Sequence, residues 1–197
     1  FHNNILDIVD SLKLDQSYVD DALEAYGSEI TPFVITRAIS CFERTLISGG
    51  SPFDRYLSGE ENALSSEELN GLQIFVNKGC INCHSGQLLS GFEILNNGLY
   101  EEYEDPGLYN LTNDPNDIGK FKVPSLRNIA ITYPYMYDGS LTTLDDVLDH
   151  YVSGGSNHPN KSNLIIPIEL NDEERADLKA FLNALTDQSF IDWASAL

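Results

Sequence analysis

The chain has 197 residues, 42% of them hydrophobic and 21% charged, an ordinary globular composition long enough for one good core or a small domain with a substantial extension. Acidic residues number 31 against 11 basic ones, a formal net charge of −20, which opposes nucleic acid and would steer a small basic protein towards it, adaptation to salt or solubility being the plainer reading. No apolar run approaches the ~18 residues of a membrane span, no signal peptide is evident, and a start at Phe1 rather than Met reads as a processed product or a fragment.

Residues 1–62 read as helical. Asn4 to Leu14 forms a short amphipathic piece carrying Ile5, Leu6, Ile8, Val9 and Leu12. Asp15 or Ser17 can cap a second helix with Tyr18, Val19, Ala22, Leu23 and Tyr26, closed by Gly27. Thr31-Pro32 has the pattern of an N-cap and first helical position. It opens a helix through Val34, Ile35, Ala38, Ile39, Phe42 and Leu46 that should end at Gly49-Gly50. Cys41 falls on the apolar side of that helix, where an inert core thiol is expected. Residues 51–56 read as a bend, and His2 as a surface residue at the terminus.

Ser65 and Glu68 make a capping box ahead of Leu69, Leu72, Phe75 and Val76 at helical spacing, and Gly79 ends the run. Immediately after comes Cys80-Ile81-Asn82-Cys83-His84. Two cysteines three apart with histidine next is the attachment spacing of c-type haem. Each thiol takes one vinyl group as a thioether, and the imidazole becomes the proximal iron ligand. A zinc site would need more ligands from Cys41, His2, His150 or His158, none in paired spacing, and a redox dithiol has no use for His84. Haem of this kind is attached on the far side of the energy-transducing membrane, which places the chain in the periplasm or another extracytoplasmic space.

Residues 85–130 carry little periodicity and many turn signals, Gly86, Gly91, Asn96-Asn97-Gly98, Pro106-Gly107 and Asn113 to Asn116 among them. A loop this long in a compact domain wraps something or carries function. Lys120, Lys122 and Arg127 gather basic charge near its end, which suits haem propionates, ordinary pairing with the many aspartates being the alternative. Thr143 caps a helix with Leu144, Val147, Leu148 and Tyr151, ended by Gly154-Gly155. The last helix begins near Asn171-Asp172 and turns Leu178, Phe181, Leu182 and Leu185 inward. A helix before the haem motif and one at the far end form the two-helix frame of a cytochrome c domain. The expected fold is all-α: a cytochrome c-like haem domain with long irregular loops over residues 63–197, preceded by the helical segment 1–62.

Several segments, in order along nearly the whole chain, carry a more specific resemblance. They are Ala38-x-x-x-Phe42-Glu43-Arg44-Thr45-Leu46-x-Ser48, Ser51-Pro52-Phe53-Asp54-Arg55-Tyr56, Gly79-Cys80-x-x-Cys83-His84-x-Gly86, residues 119–128, Thr132-Tyr133-Pro134-Tyr135, Asp138-Gly139 and Thr143-Leu144. Together they resemble the bacterial di-haem cytochrome c peroxidase family, which includes MauG-type enzymes. The resemblance implies two haem domains, an N-terminal one reacting with hydrogen peroxide and a C-terminal one relaying electrons from a donor protein. This chain matches the second domain and, in residues 1–62, the tail of the first. The upstream half was then removed by proteolysis or truncation, or is a separate chain, or is absent from a natural mono-haem descendant. A stand-alone mono-haem electron carrier and a haem-bearing subunit of a respiratory assembly are the alternative functions.

The resemblance also implies ligands. The peroxidase ligand methionine follows the Thr-Leu pair where this chain has Tyr151, and MauG-type members have a ligating tyrosine there. Tyr151 is therefore the expected distal ligand, with Met136, the sole methionine, next, then His150, His158 or an open site. A calcium ion between the haem domains would take carbonyls from the segment matching Thr132 and Pro134, with a further ligand from the upstream half. The family histidine before Asp-Gly is Tyr137 here, so its role does not carry over. Dimers are usual among members, so the resemblance admits a homodimer without fixing the oligomeric state.

Overall fold

The computed structural model describes residues 4–196; His2 lies outside the described residues. Among those residues are nine α-helices and one two-stranded sheet, and the chain divides into two compact units between Ile47 and Ser48.

The first unit holds α1 (Ile5–Leu12), α2 (Gln16–Tyr26) and α3 (Pro32–Glu43). Their starts follow the sequence signals. Asn4, Asp15 and Thr31 are the N-caps, each side chain accepting a backbone N–H of the first turn, with Pro32 at the first helical position. Gly27 ends α2 in the left-handed region at φ 65°. Val9, Ala22, Ile30 and Val34 form a small core with Leu12, Val19, Tyr26 and Ile35 packed on it. Much of the apolar stripe remains uncovered: Leu23, Phe33, Ile39, Phe42 and Ile47 are all exposed. Cys41 is exposed too, not the core thiol expected from its place on α3. That helix stops at Glu43 instead of running to Gly49. The Thr45 hydroxyl donates to the Phe42 carbonyl at 2.7 Å and the Thr45 amide to the same oxygen at 2.8 Å, a tighter local closure that competes with another helical turn.

The second unit begins with α4 (Pro52–Leu57), a helix in place of the expected bend. Ser51 and Asp54 form a reciprocal capping box with Pro52 at the first helical position, and this local closure turns the stretch into a helical turn and a half. Next come α5 (Ser66–Asn77), a 3₁₀ turn over Cys80–Asn82, and the irregular region containing β1 (Ile94–Leu95), α6 (Tyr109–Thr112) and β2 (Phe121–Lys122). The strands pair antiparallel, Ile94 with Lys122 and Leu95 with Phe121. Then follow α7 (Leu144–Ser153), α8 (Asp172–Asn183) and α9 (Gln188–Ala194). α9 goes beyond the last helix read from the sequence, and Asp187 caps it.

α5 and α8 pack along their length. They approach so closely at Gly71 that a Cβ there would meet the Asp177 carbonyl oxygen and come within 2.7 Å of the Phe181 Cβ. Phe181, wholly buried, packs edge-on to Phe53 at 5.3 Å and tilted to Phe75 at 5.2 Å. Leu178, Leu182 and Leu185 join it in the core, as the spacing predicts. Residues 48–62 thus pack with the haem-motif unit, through Phe53 and Tyr56.

Polar links fasten the rest. The buried Asp187 carboxylate accepts from the Gly49 and Gly50 amides at 2.9 and 2.7 Å, the Ser189 hydroxyl at 2.6 Å and the Phe190 amide at 3.0 Å. Burial works against its charge, but the Ser189 hydroxyl and these amides outweigh burial and hold the carboxyl down at about 2. Asn96, with no exposed surface, accepts from the Tyr103 hydroxyl at 3.0 Å and the Gly98 amide at 2.7 Å, gathering the long loop around itself.

Candidate haem site

α5 delivers the chain to the attachment motif. Gly79, at φ 84°, turns it out of the helix, and the 3₁₀ turn sets Cys80, Cys83 and His84 on one side. The Cys83 carbonyl accepts from the Gly91 amide at 2.8 Å and the Ser85 carbonyl from the Ser90 amide at 3.0 Å, closing a small loop after the histidine. That loop presents the Leu89 carbonyl to His84 Nδ1 at 3.2 Å. A carbonyl can only accept, so Nδ1 carries the proton and Nε2 keeps its lone pair for a metal. Burial lowers the pKa of the imidazole, with the Leu89 and Pro124 carbonyls opposing. The ring is thereby held neutral, the form that ligates.

The surroundings of the thiols work against the depressed pKa that a redox dithiol uses. Burial pushes Cys80 up to about 11, and burial with the nearby Glu93 charge raises Cys83. Among the described residues no cluster of three or more His, Cys, Asp or Glu side chains accompanies the pair.

Two cavities adjoin the motif, of about 120 and 290 Å³. Both are lined by Cys83, His84, Leu126, Ile129, Val147, Tyr151 and Ile165. The first adds Cys80 with Phe75, Leu178 and Leu182 from α5 and α8; the second adds Asn97, Phe121, Lys122, Met136 and Tyr137. Apolar walls, two thiols at attachment spacing and an imidazole with its Nε2 free fit haem c.

The remaining candidates separate cleanly. Tyr151, on α7, lines both cavities. Burial pushes its hydroxyl pKa up, the Asn97 carboxamide opposing and the two cysteine sulfurs adding. Met136 lines the second cavity, its backbone in the left-handed region at φ 71°. Neither histidine alternative lines either of these two cavities. His150 Nε2 donates to the Asn97 carbonyl at 3.1 Å, and His158 Nδ1 accepts from the Asn96 carboxamide at 3.2 Å and the Asn160 amide at 3.0 Å.

The basic cluster divides as well. Lys122 is at the second cavity. Lys120 pairs with Asp117 at 3.0 Å. Arg127 lines neither cavity; its guanidinium grips Asp54 through two bonds of 2.8 and 2.7 Å and donates to the Gln87 carbonyl at 2.8 Å. A carboxylate in bidentate geometry takes the arginine expected at a propionate. Thr132 and Pro134 are exposed and line neither cavity. Asn97 reads in the sequence only as part of a turn; nothing in Asn-Asn-Gly distinguishes a site residue from a turn residue.

The sequence model of the cytochrome c family matches residues 69–186, and that described as di-haem cytochrome c peroxidase matches residues 1–62. Cytochrome-c peroxidase IdrP1 of Pseudomonas sp. (strain SCT) is 35% identical over 209 residues, covering 89% of this chain and 55% of that protein. Methylamine utilization protein MauG of Methylorubrum extorquens is 36% identical over 195 residues, covering 90% of this chain and 52% of that protein. The crystal structure of a MauG-like protein associated with microbial copper homeostasis superposes with a TM-score of 0.82 at 35% identity, covering 97% of this chain and 64% of that one. The chain spans about half the length of the curated relatives it matches. A cytochrome c domain carries covalently bonded haem c, as the thiols, imidazole and cavities fit. With that domain at residues 69–186 and the peroxidase segment ahead of it, the chain belongs to the di-haem cytochrome c peroxidase and MauG family.

Proposed function

We propose that residues 63–197 are the electron-relaying haem domain of a di-haem cytochrome c peroxidase or MauG-like oxidoreductase, and that residues 1–62 close an upstream peroxidatic domain. Cys80 and Cys83 would form the thioethers, and His84, through Nε2, and Tyr151 would hold the iron. Haem c held there supplies one-electron storage and relay between an external donor and the peroxide-reacting haem of the upstream domain. The chain's own residues orient and insulate it. The Leu89 carbonyl fixes the imidazole, the apolar walls exclude water, and Lys122 offers a cation to a propionate.

The observation that carries this reading is the pairing on the same two cavities of an imidazole whose Nδ1 is taken by the Leu89 carbonyl and a half-buried tyrosine. A phenolate is a hard anionic ligand that lowers potential and favours high oxidation states. The exposed apolar residues of the first unit support a covering haem domain upstream. The net charge of −20 supports a small cationic donor protein, and the attachment chemistry supports a periplasmic home. In ferric holoprotein, Tyr151→Phe should abolish a phenolate-to-iron charge-transfer band that Met136→Leu leaves intact. A wild-type spectrum with a thioether band instead, lost in Met136→Leu, would overturn the ligand assignment.

A further inference from the structure

Met136 and Tyr151, the two non-histidine candidates for the distal position, line one cavity together with Asn97. The Asn97 carboxamide donates through Nδ2 to the Met136 sulfur at 3.3 Å. The orientation of that carboxamide is determined by its other end. Oδ1 accepts the Leu99 amide at 3.2 Å, so the amino end faces the cavity.

The backbone at Asn97 is held from several directions. Its carbonyl accepts from His150 Nε2, one residue before Tyr151 on α7. The next carbonyl, Gly98, accepts the Ser156 amide at 2.6 Å, and Gly98 N–H is bound by buried Asn96. Met136 in turn sits at φ 71°, a backbone region costly for a residue with a Cβ and sustained only where its surroundings over-determine it. A thioether sulfur is a weak acceptor, and an N–H already lies on it and holds its side chain in place.

We propose that Asn97 selects the distal iron ligand: its carboxamide holds the Met136 thioether back by donating to the sulfur and leaves the position to Tyr151. This rests on the reading of Tyr151 as ligand. Asn97 is a positioning residue, since it acts through the Met136 side chain it holds.

The test is the absorption and electron paramagnetic resonance spectrum of ferric holoprotein, with the midpoint potential as a second readout. Asn97→Leu removes the donor, and Asn97→Asp removes it while keeping the oxygen that receives Leu99, so the loop is spared. Both variants should lose the phenolate-to-iron band, gain a thioether-to-iron band and rise in potential. Adding Met136→Leu to either should remove the thioether band. Retention of the wild-type spectrum and potential in Asn97→Asp overturns the proposal, as does loss of the phenolate band with no thioether band in its place. A wild-type protein lacking the phenolate band, by contrast, overturns the ligand reading itself.

Discussion

The haem cavities have two kinds of wall, and different physics holds each. On one side the α5/α8 frame is fixed by apolar burial around Phe181, with the helices so close that only glycine fits at position 71. On the other, the segment between Ser85 and Ala130 has almost no regular structure and is held by polar groups: Asn96 inside the loop, Asn97 at the cavity, and Arg127 on Asp54. Burial is non-directional and tolerates approximate positions, whereas hydrogen bonds set atoms to within tenths of an ångström. The frame therefore provides the slot, and the loop chooses which side chains face into it.

Damage to the frame should have the largest effect. Phe181→Ala removes a fully buried ring touching Phe53 and Phe75, and should cost about 3–5 kcal/mol. Urea unfolding of the holoprotein measures it; a loss below about 1 kcal/mol would mean the aromatic cluster is not the centre of the frame.

The polar fastening depends on pH through the buried Asp187. Asp187 has its folded pKa lowered from 3.8 to about 2, so its contribution is present above pH 4 and is lost as pH falls from there through about 2. The shift corresponds to about 2 kcal/mol. Asp187→Asn should lower stability by about that much at pH 7 and flatten the acid limb of the stability curve. An unchanged slope between pH 4 and 2 would remove Asp187 from this role.

The smallest expected effect is at the entrance to the frame. Ser65→Ala removes the hydroxyl that caps α5, leaving the Glu68 amide without its acceptor, for about 1 kcal/mol by thermal unfolding. Because α5 is held mainly by its packing on α8, the ferric spectrum should not move; a spectral change would show that the cap also positions the attachment motif.

How much of the molecule is legible in its sequence follows the same division. The helix starts at Asn4, Asp15, Thr31, Ser65, Thr143 and Asn171 stand where local chemistry puts them, because a cap needs only residues within one turn. The capping box at Ser51 and Asp54 obeys the same local rule, although its short stretch reads as a bend for want of an apolar period long enough to mark a helix. Cys41 shows the limit of periodicity, which identifies an apolar face but not whether anything in the chain covers it.

The amino-acid order alone determined the attachment chemistry, the helical frame and the family, since each depends on spacings along the chain that short-range geometry converts directly into structure. Only the tertiary structure decided that Arg127 belongs to Asp54, that His150 and His158 serve the loop, and that Asn97 holds Met136 in the cavity that Tyr151 also lines. The hydrogen-bonded pairs among them lie 39 to 73 residues apart in the sequence. Which of several chemically suitable groups meets another across such distances is settled by packing in three dimensions.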